Sequence, residues 1–328
     1  MDRRKFVGSI TGCLVARSRL AIAQKATSAV VGFLCGGSPS RWVRLVAAFR
    51  QGLNETGYFE GKNIDIEFRW AEGQDERLPA LAADLVRRQV AVLVATGGPN
   101  PALAAKSATS TIPIVFTLGA DPVKLGLVDS LGRPGGNITG IGFTTADVNG
   151  KRLQLLYEMV PKVTSIAVLV ASDNPNSESI VRQSHDAART LGLQVHVLKA
   201  RTEREIDAAF AALAQLSAGA LFVGSDGFFF DRRSQMTALA ARHAVPASYE
   251  LREFVEAGGL MSYGANLSEV YRQAGLYAGK ILSGTKPADL PILQPTKVEL
   301  TINLKTAKAL GLTITQSLQL RADELIQS

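Results

Sequence analysis

Short apolar runs alternate with segments of helical period along nearly the whole chain, and this alternation limits the folds open to it. Ala29 to Cys35 is followed by Gly36-Gly37-Ser38-Pro39-Ser40, then by Trp42, Leu45, Val46, Phe49 and Leu53 at helical spacing. This reads as strand, glycine-rich turn and helix. Ile64, Ile66 and Phe68 alternate as a second strand before a helix marked by Leu78, Leu81, Ala82 and Leu85. Val90 to Ala95 is apolar throughout, as a parallel strand covered on both faces should be, and exits through Thr96-Gly97-Gly98-Pro99-Asn100-Pro101 into an alanine-rich helix. Ile112 to Phe116 makes a fourth strand. Repeated strand-then-helix units predict an α/β fold with a parallel, doubly wound sheet.

The stretch from Thr117 to Phe143 closes this first unit. Asp121 before Pro122 is a helix start, since a short polar side chain accepts the first free amides and proline suits the first helical position. Val123, Leu125, Leu127, Val128 and Leu131 then predict a helix that Gly132, Pro134, Gly135 and Gly136 stop. Ile138 to Phe143 reads as a strand that bends where two lobes meet. Beyond it the scheme repeats: a helix from about Asn149 to Val160, strands at Ile166 to Val170, Val195 to Leu198, Ala220 to Val223, Pro246 to Tyr249 and Leu260 to Tyr263, with helices between, then a helix through Val270 to Ile281, a strand at Val298 to Ile302 and a last helix around Ala307 to Leu310. A chain of 328 residues exceeds what one core usually fills, so two lobes of about 150 residues are expected.

No apolar run approaches the roughly 18 to 20 residues that span a bilayer. Arg3, Arg4, Lys5, Arg17 and Arg19 against Asp2 supply +4 of the net charge of +7, leaving about +3 for the rest. With no basic cluster interleaved with aromatics, nucleic acid is not an expected partner. Arg3 to Lys5, the mostly apolar Phe6 to Ala16 and the small-residue site Ala21-Ile22-Ala23 resemble an export signal spanning residues 1–23, by a Sec or twin-arginine route, although Arg17 and Arg19 depart from either pattern. The expected location is periplasmic. Ile10-Thr11-Gly12-Cys13 is a loose lipoprotein-type match, and Cys35 reads as a core residue.

The runs GYFEGKNIDIEFRWAEG (57–73), RLPALAADLVRRQVAVLVATGG (77–98) and DPVKLGLVDSLGRPGGNITGI (121–141) resemble the ABC-transporter substrate-binding proteins of the tryptophan-binding-like group, within the type I periplasmic binding protein fold. The resemblance runs from about residue 28 to the end. It implies two doubly wound parallel-sheet lobes joined by three crossovers, which we place near Phe143, Gly264 and Pro287. The lobes would be 28–143 with 265–287, and 144–264 with 288–328. It also implies an amino acid or similar small carboxylate as ligand, an ABC permease and its ATPase as partners, and a monomer.

In open parallel sheets a ligand lies beyond the carboxyl ends of the strands. From the first lobe the candidates are Gly37, Ser38, Trp42, Thr96, Gly97, Gly98, Asn100, Leu118, Gly119 and Asp121. From the second they are Asp173, Asn176, Ser225, Asp226, Tyr249, Glu250 and Tyr263. Amides at Thr96-Gly97-Gly98 favour an anion such as a ligand carboxylate, or glycine there serves only a tight turn. Ser38 either donates to a ligand or caps the helix; Trp42 stacks on a ligand ring or belongs to the core; Asp121 reads foremost as a cap. Asp226 and Glu250 follow apolar strands, where burial demands a positive partner such as a ligand ammonium, although Asp226-Gly227 is also a turn signal. Tyr249 and Tyr263 close over the ligand or sit half-buried in the sheet. At least one ring of Phe228 to Phe230 lines or seals the cleft.

Nucleophile-elbow, Walker and dinucleotide-binding signatures are missing. His185, His196 and His243 lack metal-ligand spacing, so neither metal nor cofactor is expected. The leading expectation is a solute-binding protein, not an enzyme. The alternatives are an enzyme using Asp226 or Glu250, or a ligand-sensing receptor module.

Overall fold

The computed structural model describes residues 28–143, 146–295 and 297–327; the expected export segment, Ala23 and Cys13 lie outside the described residues. The first sheet holds β1 (Ala29–Cys35), β2 (Ile64–Trp70), β3 (Val92–Thr96), β4 (Ile114–Leu118) and β5 (Ile138–Gly142) in the order β2-β1-β3-β4-β5, all parallel. Helices α1 (Val43–Glu55), α2 (Leu78–Arg87) and α3 (Pro99–Ala108) connect its first four strands. Strands β3, β4 and β5 are buried along their whole length, in keeping with their largely apolar sequences.

The second sheet contains β6 (Ser165–Ala171), β7 (Gln194–Ala200), β8 (Ala220–Val223), β9 (Ala247–Tyr249), β10 (Met261–Ala265), β11 (Val298–Asn303) and β12 (Glu324–Ile326), ordered β12-β11-β10-β9-β8-β6-β7. Its helices are α4 (Ala146–Met159), α5 (Ser177–Leu191), α6 (Glu203–Gln215), α7 (Gly227–Asp231), α8 (Arg233–Arg242) and α9 (Arg252–Glu256), followed after β11 by α11 (Leu304–Ala309) and α12 (Gln316–Arg321). The sequence pattern announces neither α8, α9 and α12 nor β12. Each is short or lacks a sustained apolar stripe, and takes its conformation from the surface it packs on.

Helix α10 (Leu267–Leu282) leaves β10 and lies along α1 against the first sheet. The approach is close enough to need glycine on both helices. A Cβ at Gly52 would fall 1.9 Å from the Arg272 carbonyl oxygen, and one at Gly275 2.2 Å from that of Phe49. β10 therefore runs toward the first lobe, and the returning chain re-enters the second sheet from that same side. Hence β11 pairs antiparallel with β10, an exception to the wholly parallel sheet expected.

Two expectations are corrected. The predicted helix after Asp121 lasts a single turn: Leu127 N donates to Pro122 O (2.9 Å) and Gly126 N to Val123 O (2.9 Å), with Gly126 at φ +66°. That is a left-handed helix stop, and it acts well before Gly132. Asp121 does cap the turn, accepting from Val123 N and Lys124 N. The third passage does not fall near Pro287. Thr139 Oγ1 donates to Leu290 O (2.7 Å), Leu293 N to Gly140 O (3.0 Å) and Gly142 N to Leu293 O (2.9 Å), so the chain stays on β5 until Leu293. Among the described residues no helix is long and apolar enough to cross a membrane.

Alanine is a better helix former than glycine by about 1 kcal/mol, yet a backbone clash at 1.9 Å outweighs that gain. Gly52→Ala should lower stability by about 1–3 kcal/mol, read as a fall in the urea midpoint at unchanged slope. An unchanged or raised midpoint would show that the α1–α10 seam is loose.

Candidate functional site

The carboxyl ends of strands from the two sheets face one another, and a cavity of about 40 Å³ lies between them. Of the residues singled out from the sequence, Trp42, Gly97, Gly98 and Gly119 line it from the first lobe, and Asn176, Ser225 and Asp226 from the second. Its aromatic walls are Trp42, Phe143, Phe230 and Tyr271, with Leu251 and Leu267 beside them. A second, more polar compartment of about 230 Å³ shares Gly119, Ala120 and Asn176, and adds Asp121, Asn149, Ser179 and Gln183. The aromatic chamber is narrow because opposite sheets nearly touch: a Cβ on Gly119 would sit 2.9 Å from Ser225 Oγ.

Several expected ligand groups are already occupied by the protein itself. Asp231 accepts from Ser38 Oγ (2.7 Å) and from Trp42 Nε1 (2.7 Å). Asn100 Nδ2 donates to Asp75 Oδ2, and Asp173 is paired with Arg201 Nε at 2.6 Å. Gly37 lies under the Trp42 indole, where a Cβ would fall 1.9 Å from Nε1. Thr96 and Leu118 are fully buried in the first lobe. None of these six except through Trp42 reaches the cavity wall.

Three second-lobe expectations need correction. Tyr249 is wholly buried and stacks on Phe254 (4.6 Å, 12°), and burial pushes its hydroxyl pKa up. Tyr263 packs with the core on the other face of the sheet. Glu250 is 4% exposed, is not among the residues that line the cavity, and acts through its negative charge on the guanidinium of Arg152. Successive residues of a strand point to opposite faces, so only the loop beyond the strand aims at the cleft.

Arg152 was not visible as special in the sequence, because α4 otherwise reads as an ordinary surface helix. It is 0% exposed, donates from Nη2 to Val223 O (2.8 Å) and lies 3.8 Å over the Phe222 ring. Burial pulls its pKa down to about 10, against the opposing pull of Glu250. Leu267 and Tyr271 were equally hidden, since only the return of α10 brings them to the first lobe's strand exits.

Asp226 is the charged group on the cavity wall. It caps α7 by accepting from Phe228 N (2.7 Å), accepts from Asn174 Nδ2 (2.8 Å), and has Arg201 Nη1 at 3.7 Å. Burial nevertheless wins over these partners and raises its pKa to about 6. Across the seam Arg201 also pairs with Asp75 (2.8 Å) and donates to Gly73 O (3.1 Å) of the first lobe. Among the described residues no cluster of His, Cys, Asp and Glu is arranged to hold a metal ion.

Two α/β lobes with a polar and aromatic cavity between their strand exits define a binding protein of the type I periplasmic fold. Residues 36–326 match the family of ABC transporter substrate binding proteins, and the chain belongs to that family. It is 29% identical over 265 residues to a tyrosine-binding protein of Clostridioides difficile, covering 80% of this chain and 75% of that one. A conserved domain protein of Vibrio cholerae superposes with a TM-score of 0.85 at 27% identity, over 91% of this chain and 99% of that one. An ABC domain from Streptococcus pneumoniae in complex with L-Trp superposes at 0.84 with 25% identity, over 92% and 100%. The family is one of substrate-binding proteins, not enzymes, so Asp226 and Glu250 are not acid–base catalysts.

Asp226 has a raised pKa, so its contribution to stability is complete below the ordinary aspartate value of about 4 and is lost as pH rises through about 6. Asp226→Asn should therefore flatten the stability profile between those values by about 2 kcal/mol, measured by denaturant unfolding across pH. A variant profile parallel to the parent's would mean that this carboxyl ionises normally.

Proposed function

We propose that this chain is an exported solute-binding protein that captures an aromatic amino acid in the inter-lobe cleft, closes over it by hinge motion, and presents it as a periplasmic monomer to an ABC permease and its ATPase. The observation that carries this reading is the cavity itself, where Trp42, Phe143, Phe230 and Tyr271 surround polar strand exits from both sheets. Relatives described as a tyrosine-binding protein and as an L-Trp complex support the same ligand class. We take the lobes as 28–143 with 265–293, and 146–264 with 298–327, moving about the three passages between them.

The chemistry fits an amino acid in two respects. An aromatic side chain gains from burial among rings, which prefer edge and offset contacts with one another. An ammonium brought to Asp226 would favour the ionised carboxylate that burial now disfavours. Backbone amides at Gly98 and at the α5 start suit the carboxylate, although Pro99 and Pro101 leave the α3 start fewer donors than an ordinary first turn. At about 40 Å³ the chamber admits a ring only if the lobes part, which ties ligand entry to lobe motion.

A thermal-shift screen of the protein should show stabilisation by L-Trp, L-Tyr or L-Phe, with aliphatic amino acids and sugars inert. Indole-3-propionate, lacking the ammonium, should bind about tenfold or more weakly than L-Trp. No shift with any aromatic amino acid, or consumption of a hit, would overturn the reading.

A further inference from the structure

Helix α7 is five residues long, Gly-Phe-Phe-Phe-Asp, and touches the first lobe along most of its length. Gly227 abuts the 97–98 loop so closely that a Cβ would lie 2.2 Å from Gly97 O. The Phe228 ring lies beneath two guanidinium groups, Arg232 at 4.0 Å and Arg201 at 4.9 Å, and a Cβ on Gly73 of the first lobe would stand 3.7 Å from it. Phe230 meets Trp42 at 5.0 Å. Asp231, 6% exposed, then takes one hydrogen bond on each carboxylate oxygen, from Ser38 Oγ and Trp42 Nε1, both at 2.7 Å and both from the first lobe.

The geometry points to Asp231 as a positioning residue, one that fixes the Trp42 ring in the cavity wall and clasps the second lobe onto the first through bonds that involve no ligand atom. Each bond joins a carboxylate acceptor to a neutral donor, the stronger class of hydrogen bond; the bond from Trp42 is buried and that from Ser38 part-buried. Both donors sit on one lobe and the acceptor on the other, so the pair can be complete only when the lobes are together. Opening returns all three groups to water, and the balance between open and closed states then depends on Asp231 whatever the ligand. The indole has little freedom to turn away by itself: Gly37 lies beneath its Nε1 and Tyr271 stands 5.9 Å to one side. A ligand entering the chamber thus meets an indole already aimed by Asp231, and affinity includes the state of a group that does not contact it.

This inference takes from the proposed function only that the lobes move, and its test needs no ligand, so it can fail while the aromatic amino-acid reading stands. The chain has two tryptophans, Trp42 and Trp70, and Trp70→Phe leaves Trp42 as sole reporter. In that background, acrylamide quenching of the ligand-free protein and its radius of gyration by small-angle X-ray scattering are compared for Asp231, Asp231→Asn and Asp231→Ala. Asp231→Ala should raise the quenching constant about twofold or more and enlarge the radius, with a guanidinium unfolding midpoint lowered no further than loss of the two bonds of the closed state accounts for, because the open population rises roughly tenfold. Asp231→Asn, which keeps one carbonyl acceptor, should fall between. Ser38→Ala removes a single donor and should also be intermediate, and it decides the matter if Asp231→Ala does not fold. Quenching and radius equal to the parent's in Asp231→Ala, or in Ser38→Ala where that variant decides, would overturn the clasp. So would a midpoint lowered beyond that in Asp231→Ala with parent-like quenching in Asp231→Asn, which would mark Asp231 as a fold residue only.

Discussion

The contact of α10 with α1 is the interaction on which the rest of this architecture depends. Two helices distant in sequence approach until Gly52 and Gly275 each face a backbone carbonyl with no space for a methyl group. That seam draws residues 267–282 back to the first sheet after the second is more than half built. The returning chain must then enter the second sheet from the cleft side, which makes β11 antiparallel to its neighbour. It also carries Leu267 and Tyr271 into the cavity wall. Glycine in a helix interior costs about 1 kcal/mol of intrinsic stability relative to alanine, and here the packing gained by close approach exceeds it.

Electrostatics along the seam follow from burial more than from pairing. Arg201 stands among Asp75, Asp173 and Asp226, yet Asp226 still has its pKa raised to about 6, because removing a carboxylate from water outweighs one cation at 3.7 Å. Asp75 is shifted in the same direction, chiefly by burial, against Asn100 and Arg201. Arg152 shows the complementary case: desolvation lowers its pKa although Glu250 pulls the other way. Buried charges of this kind add little to stability. They hold particular geometries instead, Arg201 across the cleft and Arg152 beneath its floor.

Much of the candidate site was legible before any coordinates, and what was not has definite causes. Gly97, Gly98, Gly119, Ser225 and Asp226 could be found because strand exits in parallel sheets converge, a rule that needs only the order of elements. The residues that misled share another origin. Tyr249 ends β9 and Tyr263 lies within β10, and alternation turns their rings into the cores on either face, while Glu250, just past β9, is buried beside Arg152. Ser38 and Asp173 were correctly placed on cleft loops, and the protein supplies their partners from other elements. Asp231, which holds Ser38 and Trp42, follows a phenylalanine run that looked like a seal and gave no sign of what its last residue meets.

The sequence by itself determined the α/β class, the positions of most strands, the presence of two units and the cap at Asp121, because each rests on local periodicity and on turn chemistry. It did not disclose that Gly126 ends the helix begun at Asp121 after one turn, since a glycine within an apolar pattern reads as tolerated until its φ of +66° is known. Tertiary structure alone decided how closely α10 packs on α1, which residues of α10 reach the cavity wall, and which carboxylate meets which cation. Those outcomes depend on contacts between residues far apart in the chain, and such contacts leave no trace in local spacing.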